Sequence, residues 1–237
     1  MAQLIYGRNV IRQALSDPSR VHAVYLTGRD EAVEKQCRSA GIPVKTVDRR
    51  TLTRMAGTDR HQGIAAEVDS YRLYTVDELI AEHKHPYGFL ILLDGLEDPH
   101  NLGAVLRTAD AVGADGVIFG KNRSVSLTPT VAKVSTGAID TVKCAAVTNL
   151  VRTVQDLKKK GYWIVGTDMN GQDYRSLEYD FNTVLVIGNE GKGISRLLRE
   201  ECDYIVSIPM IGTVESLNAS VSTAILSYEI YRHRFPL

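Results

Sequence analysis

The spacing of apolar and polar positions changes character near residue 89. Before it, short segments alternate. Residues 4–15, LIYGRNVIRQAL, place apolar side chains at helical spacing and predict a short amphipathic helix. VHAVYLT (21–27) is β-branched and aromatic and predicts a strand. Residues 30–40 have a helical pattern that ends at Gly41, a candidate C-cap. PVKTVD (43–48) predicts a strand, RRTLTRMAG (49–57) a short helix and GIAAEVDSY (63–71) a third strand. The order αβαβαβ suggests a small α/β sandwich over residues 1–72. Residues 73–88 are more polar, include a candidate short helix in TVDELIAE, and are expected to act as a linker.

From residue 89 the strands become continuous apolar runs: FLILLDGL, GVIFG (116–120), KCAAV (143–147), YWIVGTDM (162–169), TVLVIGNE (183–190) and YIVSIPM (204–210). Helical stretches at 101–112, 129–138, 149–160, 194–200 and 217–233 separate most of them. Uninterrupted apolar strands alternating with helices predict a parallel sheet covered on both faces, so residues 89–237 form an α/β domain. Such sheets bind ligands beyond the carboxyl ends of their strands.

Composition narrows the class. With 44% apolar and 24% charged residues the chain has the make-up of a globular domain. No stretch reaches the ~18–20 apolar residues of a membrane span. The start, MAQLIYGRNVIRQAL, lacks a secretory layout, so a cytoplasmic location is expected. Cys37, Cys144 and Cys202 are far apart, and no Cys/His spacing suggests a disulfide framework or a metal site; no metal is expected. The formal net charge is +0, but residues 1–72 carry 12 Lys+Arg against 8 Asp+Glu, leaving 16 against 20 for the rest. Ten of those 12 are Arg, whose planar fork suits phosphate.

Three strand ends carry the candidate chemistry. After FLILL, an acidic turn from Asp94 to Gly103 leads into a helix, with Asn101 a candidate cap and Arg107 expected in the first two turns. A cation there opposes the helix dipole and suggests a function. After TVLVI, Gly188-Asn189-Glu190-Gly191-Lys192-Gly193 lets backbone approach a ligand closely. Neither the dinucleotide G-x-G-x-x-G nor the phosphate loop G-x-x-x-x-G-K-[ST] is present. After YIVSI, Pro209 to Ser222 forms a polar loop running into a helix rich in small residues.

Together these segments read N-x-G-x-x-x-R-T-A at 101–109, I-G-N-E-G-x-G-I at 187–194 and I-P-M-x-G-x-x-x-S-L-N-x-S-V-S at 208–222. In that order and spacing they resemble the three motifs of SpoU-type RNA ribose methyltransferases of the SPOUT superfamily, over roughly residues 89–234. YGRNVIRQAL and TDRHQGIAAEV resemble the ribosomal-protein-like substrate domain of one branch, the large-subunit rRNA guanosine 2′-O-methyltransferases.

The resemblance implies a small amino-terminal α/β substrate-binding domain and a parallel-sheet domain with a deep trefoil knot. It implies S-adenosylmethionine held by backbone of the loops Thr167–Asn170, Gly188–Gly193 and Ile208–Leu217, with Gly188, Ile208, Leu217 and Thr167 as contacts. It assigns the chemistry to Asn101, Arg107, Glu190 and Asn218. Family accounts treat the motif arginine as a base, but Arg stays protonated in proteins. Arg107 is therefore expected to hold an RNA phosphate or stabilise the developing alkoxide, oriented by Glu190 and Asn218. Arg8, Arg12, Arg54, Arg60 and His61 are candidate RNA contacts. A homodimer through the knotted domain is implied, with RNA as partner. A transfer RNA ribose methyltransferase and a catalytically silent RNA-binding or assembly factor are the alternatives.

Overall fold

The computed structural model describes residues 2–122, 124–214 and 216–236, so Glu215 of the third motif lies outside the described residues. The chain divides into two compact units, residues 1–71 and 72–237.

The first unit runs β1 (Ala2–Tyr6), α1 (Arg8–Ala14), a 3-10 turn (Pro18–Arg20), β2 (Val21–Leu26), α2 (Glu31–Ser39), β3 (Val44–Thr46), α3 (Arg49–Ala56) and β4 (Ile64–Asp69). Its sheet has the order β1-β4-β2-β3, with β4 antiparallel to both neighbours and β3 parallel to β2. The core joins Ile11, Val24, Leu26, Val33, Cys37, Ile64 and Ala66. The helix expected over 4–15 is in fact a strand and a helix. Gly7, at φ 95, breaks the chain between them, and β1 pairs with β4 from Ala2↔Asp69 to Tyr6↔Ala65. Leu4, Ile5, Val10 and Ile11 happen to fit helical spacing, which hid the break. Asp30 and Asp48 cap α2 and α3 by accepting from Val33 and Thr51 N–H groups. Gly41, at φ 70, follows the end of α2.

The second unit runs α4 (Val76–Ile80), β5 (Phe89–Leu93), α5 (Pro99–Ala111), β6 (Gly116–Gly120), α6 (Pro129–Ser135), α7 (Ala138–Thr141), β7 (Cys144–Val147), α8 (Leu150–Lys159), β8 (Trp163–Asp173), a 3-10 turn (Tyr174–Ser176), β9 (Thr183–Ile187), α9 (Arg196–Glu200), β10 (Tyr204–Ser207) and α10 (Ala219–Arg234). All paired strands are parallel, in the order β10-β8-β9-β5-β6-β7. The two central strands, β5 and β9, are buried at every position. Leu79 of α4, Val154 and Leu157 of α8 and Leu198 of α9 pack on one face against Leu90, Leu92, Val184 and Val186. On the other side α5 touches α6, α7 and α10.

Residues 73–88 are part of this unit rather than a linker. Leu79 is fully buried in its core, the Tyr74 N–H donates to the Cys144 carbonyl at 2.8 Å, and His83 meets Asp115 at 3.1 Å. Thr75 and Glu78 close a capping box on α4. The start of α5 also differs from expectation. Asp98 caps it, accepting from the His100 N–H, and Pro99 takes the first helical position. Asn101 therefore lies inside the first turn, and Arg107 sits in the third turn, where the argument from the helix dipole lapses.

The sheet order bears directly on the site. β8 lies between β9 and β10, so the chain leaving β9 must pass β8 to reach the sheet edge. That brings the carboxyl ends of all three strands to one place.

Candidate active site

The first wall of the site comes from an interruption in β8. It pairs with β10 through Val165↔Tyr204 and Gly166↔Ile205, then through Gln172↔Val206 and Asp173↔Ser207. Residues 167–171 are left out of the ladder and form an excursion. Its ends are pinned by short polar contacts. Thr167 Oγ1 donates to the Val186 carbonyl at 3.1 Å, and Ser207 Oγ donates to the Gly171 carbonyl at 2.9 Å. Asp168 accepts the Asn170 N–H at 2.9 Å and pairs with the Arg199 guanidinium. The Asn170 amide, and then Arg199, hold the Asp168 carboxyl below the usual carboxylate range. A side chain at Gly171 would meet Ile205 and Val206 backbone at 2.5–2.8 Å, so the excursion returns only through glycine.

The second wall is the loop after β9. Asn189 and Gly193 exchange both backbone hydrogen bonds, at 3.0 and 2.8 Å, and Gly193 has φ 65. A Cβ on Gly188 would lie 2.2 Å from the Gly193 carbonyl carbon. The Asn189 side chain donates to the Gly95 carbonyl at 2.8 Å and accepts the Gly191 N–H at 3.0 Å, tying this loop to the turn after β5. The third wall is the exposed loop between β10 and α10. The three walls enclose a cavity of about 590 Å³, and Thr167, Gly188, Ile208 and Leu217 all line it.

Three of the four residues assigned to the chemistry meet beside this cavity. Asn101 Nδ2 donates to Glu190 Oε1 at 2.5 Å, Asn218 Nδ2 donates to the same oxygen at 2.8 Å, and Asn218 Nδ2 also reaches Asn101 Oδ1 at 3.0 Å. Asn218 caps α10, its Oδ1 accepting from the Ser220 N–H at 2.9 Å and the Ser220 hydroxyl at 2.6 Å. Arg107 is not joined to them. It is exposed on α5 and has no hydrogen-bond or ion-pair partner among the described residues. Glu190 and Asn218 orient Asn101 here, not Arg107.

In the first unit Arg12, Arg54 and Arg60 are exposed. Arg8 pairs with Asp30 at 2.9 Å. His61 must be removed from the phosphate-facing set, because it is 0% exposed. Its Nδ1 accepts the Gly63 N–H at 3.0 Å, which leaves Nε2 to donate to Thr53 Oγ1 at 3.0 Å. Sequence reasoning missed Asp168, Arg199 and Asn189, whose roles are contacts between distant segments. The spacing Asp168-x-Asn170 was a usable signal for the turn that starts the excursion. It also passed over exposed Arg49 and Arg50 on α3.

Other chemistries find little support. Burial raises all three thiols above the ordinary value, Cys202 to about 11 and Cys144 to about 12. No group of three or more His, Cys, Asp or Glu among the described residues could hold a metal, and no described helix is long and apolar enough to cross a membrane.

Comparison with known proteins agrees with the arrangement of these loops. Residues 88–228 match the SpoU rRNA Methylase family, and residues 4–74 match the domain described as RNA 2′-O ribose methyltransferase substrate binding. The chain belongs to the SpoU methylase family. It is 43% identical over 241 residues to a Bacillus subtilis protein named for the TrmH family of tRNA/rRNA methyltransferases, covering 98% of this chain and 96% of that protein. A similarly named Staphylococcus aureus protein is 44% identical over 242 residues, covering 98% and 96%. Among solved structures, the SpoU methyltransferase AviRb from Streptomyces viridochromogenes, in complex with AdoMet, superposes with a TM-score of 0.66 at 25% identity, over 98% of this chain and 90% of that one. The A. aeolicus TrmH/SpoU tRNA modifying enzyme has a TM-score of 0.58 at 32% identity, over 64% of this chain and 78% of its own.

The family's glycine loop makes a stability contrast. Gly188→Ala forces backbone apart and is expected to cost ~1–3 kcal/mol, a drop of several degrees in melting temperature. Gly212→Ala, where an added Cβ meets nothing within 4 Å, should melt with the parent. Equal melting of the two variants would contradict the close approach at Gly188.

Proposed function

We propose that this SpoU-family RNA ribose methyltransferase uses S-adenosylmethionine to methylate the 2′-hydroxyl of a guanosine in large-subunit ribosomal RNA. The observation that carries the reading is the union of two features: the Asn101–Glu190–Asn218 triangle and the adjoining backbone-walled cavity. About 590 Å³ falls within the ~300–1,000 Å³ of small-molecule sites. Backbone of Gly188, Gly191 and Gly193 offers close polar contact, while Asp168 suits positive charge and Lys192 suits a carboxylate. Those residues, with Thr167, Ile208 and Leu217, would hold the cofactor. When bound, S-adenosylmethionine supplies a methyl group already activated as a sulfonium, so the protein's task is alignment and proton removal.

Ribosomal RNA is favoured by the first unit, whose match to a substrate-binding domain spans residues 4–74. Its exposed Arg12, Arg54 and Arg60 can meet phosphates, as can Arg8 beside Asp30. A transfer RNA substrate is favoured by one observation, the 32% identity to a tRNA modifying enzyme, although that likeness covers only 64% of this chain. Arg107 would bind an RNA phosphate or the developing alkoxide. The order β9-β8-β10 supports reading the carboxyl-terminal part as a deep trefoil knot. Val221 and Tyr228 are exposed on α10 and Phe235 just beyond its end, which supports a homodimer through this domain; the protein would act in the cytoplasm.

Three measurements test this reading. Ribose methylation mapped across ribosomal and transfer RNA, from cells with and without the protein, should lose one mark in large-subunit RNA. Loss confined to transfer RNA overturns the substrate. Arg107→Lys should lower turnover at least ~10-fold, because a point charge cannot reproduce the fork. Full turnover would remove the role given to Arg107. Sedimentation at micromolar concentration should give twice the chain mass, and a monomer would refute the dimer.

A further inference from the structure

We propose that Glu190, through its Oε2, is the proton acceptor for the ribose 2′-hydroxyl. The proposal rests on the ribose methyltransferase reading and adds the group that removes the proton. Arg107 cannot take it, since a guanidinium has no free acceptor. Among the described residues, three titratable side chains line the cavity: Asp168, Glu190 and Lys192. Lys192 is a donor with no acceptor. Asp168 has both oxygens engaged, one by the Asn170 N–H and the other by Arg199. A carboxylate held between a backbone donor and a cation is a poor base. His100 stands next to Asn101 in sequence but does not line the cavity.

Glu190 is held differently. The Ser220 N–H can only donate, so it fixes Asn218 Oδ1 towards itself and Asn218 Nδ2 towards Glu190 and Asn101. Asn101 Oδ1 then accepts from Asn218, which turns Asn101 Nδ2 onto Glu190. Glu190 Oε1 thus receives two neutral amide donors. Oε2 accepts nothing, and no cation lies within ion-pair distance of Glu190, among the described residues. The carboxylate is fixed in direction, open at one oxygen and not neutralised by a positive charge. General bases of this kind, a positioned carboxylate accepting a substrate hydroxyl proton, contribute about 10²–10⁴-fold.

The step balances. The proton passes from O2′ to Oε2, and the electron pair left on O2′ forms the bond to the methyl carbon. The pair of the broken methyl–sulfur bond stays on sulfur. The proton later leaves Glu190 for water.

The test uses the full chain, methyl-labelled S-adenosylmethionine and ribosomal RNA from cells lacking the protein. Glu190→Gln preserves an acceptor oxygen for both asparagines but has no basic oxygen. Its turnover should fall at least ~10²-fold, while cofactor affinity by calorimetry stays within about threefold. In Glu190→Ala, added formate should restore turnover in a saturable way by at least about tenfold, and chloride should not. Turnover of Glu190→Gln within about tenfold of the parent, a loss that tracks cofactor affinity, or an alanine variant deaf to formate would each overturn the assignment. Failure of the parent protein to bind S-adenosylmethionine, or to label ribose, would strike the functional reading instead.

Discussion

A single backbone amide sets the geometry of the site. The Ser220 N–H, at the start of α10, needs an acceptor and takes Asn218 Oδ1. Helix capping is usually local in its consequences, but here the other end of the same side chain reaches two residues from separate strand ends. Asn218 is separated from Asn101 by 117 positions and from Glu190 by 28. The hydrogen bonds therefore close the start of α5, the loop after β9 and the start of α10 against each other. A side-chain network of this sort specifies one arrangement because each member is satisfied only when the others are in place. Replacing any one of the three leaves partners without a bond beside the cavity, which costs more than the bond itself is worth.

That network depends in turn on backbone approaching backbone. Gly188 and Gly171 occupy positions where a Cβ would come within 2.2 and 2.5 Å of neighbouring main chain. The threading of β9 past β8 puts three loops into one small volume, and glycine is what lets them share it. The cavity wall is consequently made of peptide groups more than of side chains. The long β8 contributes by leaving the ladder with β10 for five residues and rejoining it, with the Asp168–Arg199 pair bracing the detour.

Much of this was legible in the chain. The apolar runs of 89–93, 116–120 and 183–187 marked strands closely, since strands buried at all or nearly all positions read as continuous apolar runs. The motif residues lining the cavity were nameable because they lie at strand ends. Failures came where local pattern was ambiguous or where contacts are long-range. Leu4 to Ile11 fit a helix and are half strand. Residues 73–88 are polar enough to suggest a linker, yet Leu79 and His85 are buried. Asp98-Pro99 was a readable helix start that Asn101 obscured. His61 looked like a surface cation and is a core residue whose ring supports the turn at Gly63. Arg8 N–H also donates to Gln62 Oε1, at 2.9 Å. The two segments YGRN and DRHQG are therefore one structural junction, and their joint presence speaks first for the fold of this unit.

Two carboxylates of the cavity wall show why residue type alone could not assign roles. Asp168 and Glu190 both line it, and both have hydrogen-bond donors. Asp168 faces a guanidinium and a backbone N–H, so its charge is cancelled and its proton affinity reduced. Its work is to hold the excursion of β8. Glu190 faces two uncharged amides on a single oxygen, which fix its orientation without cancelling its charge. Sequence spacing places each residue near a strand end and says nothing about which oxygen remains open. Only the direction of the asparagine amides does that, and it follows from one donor at the start of α10. A group fit to move a proton is thus distinguished from a group fit to hold a loop by its partners' charge, not by its own chemistry.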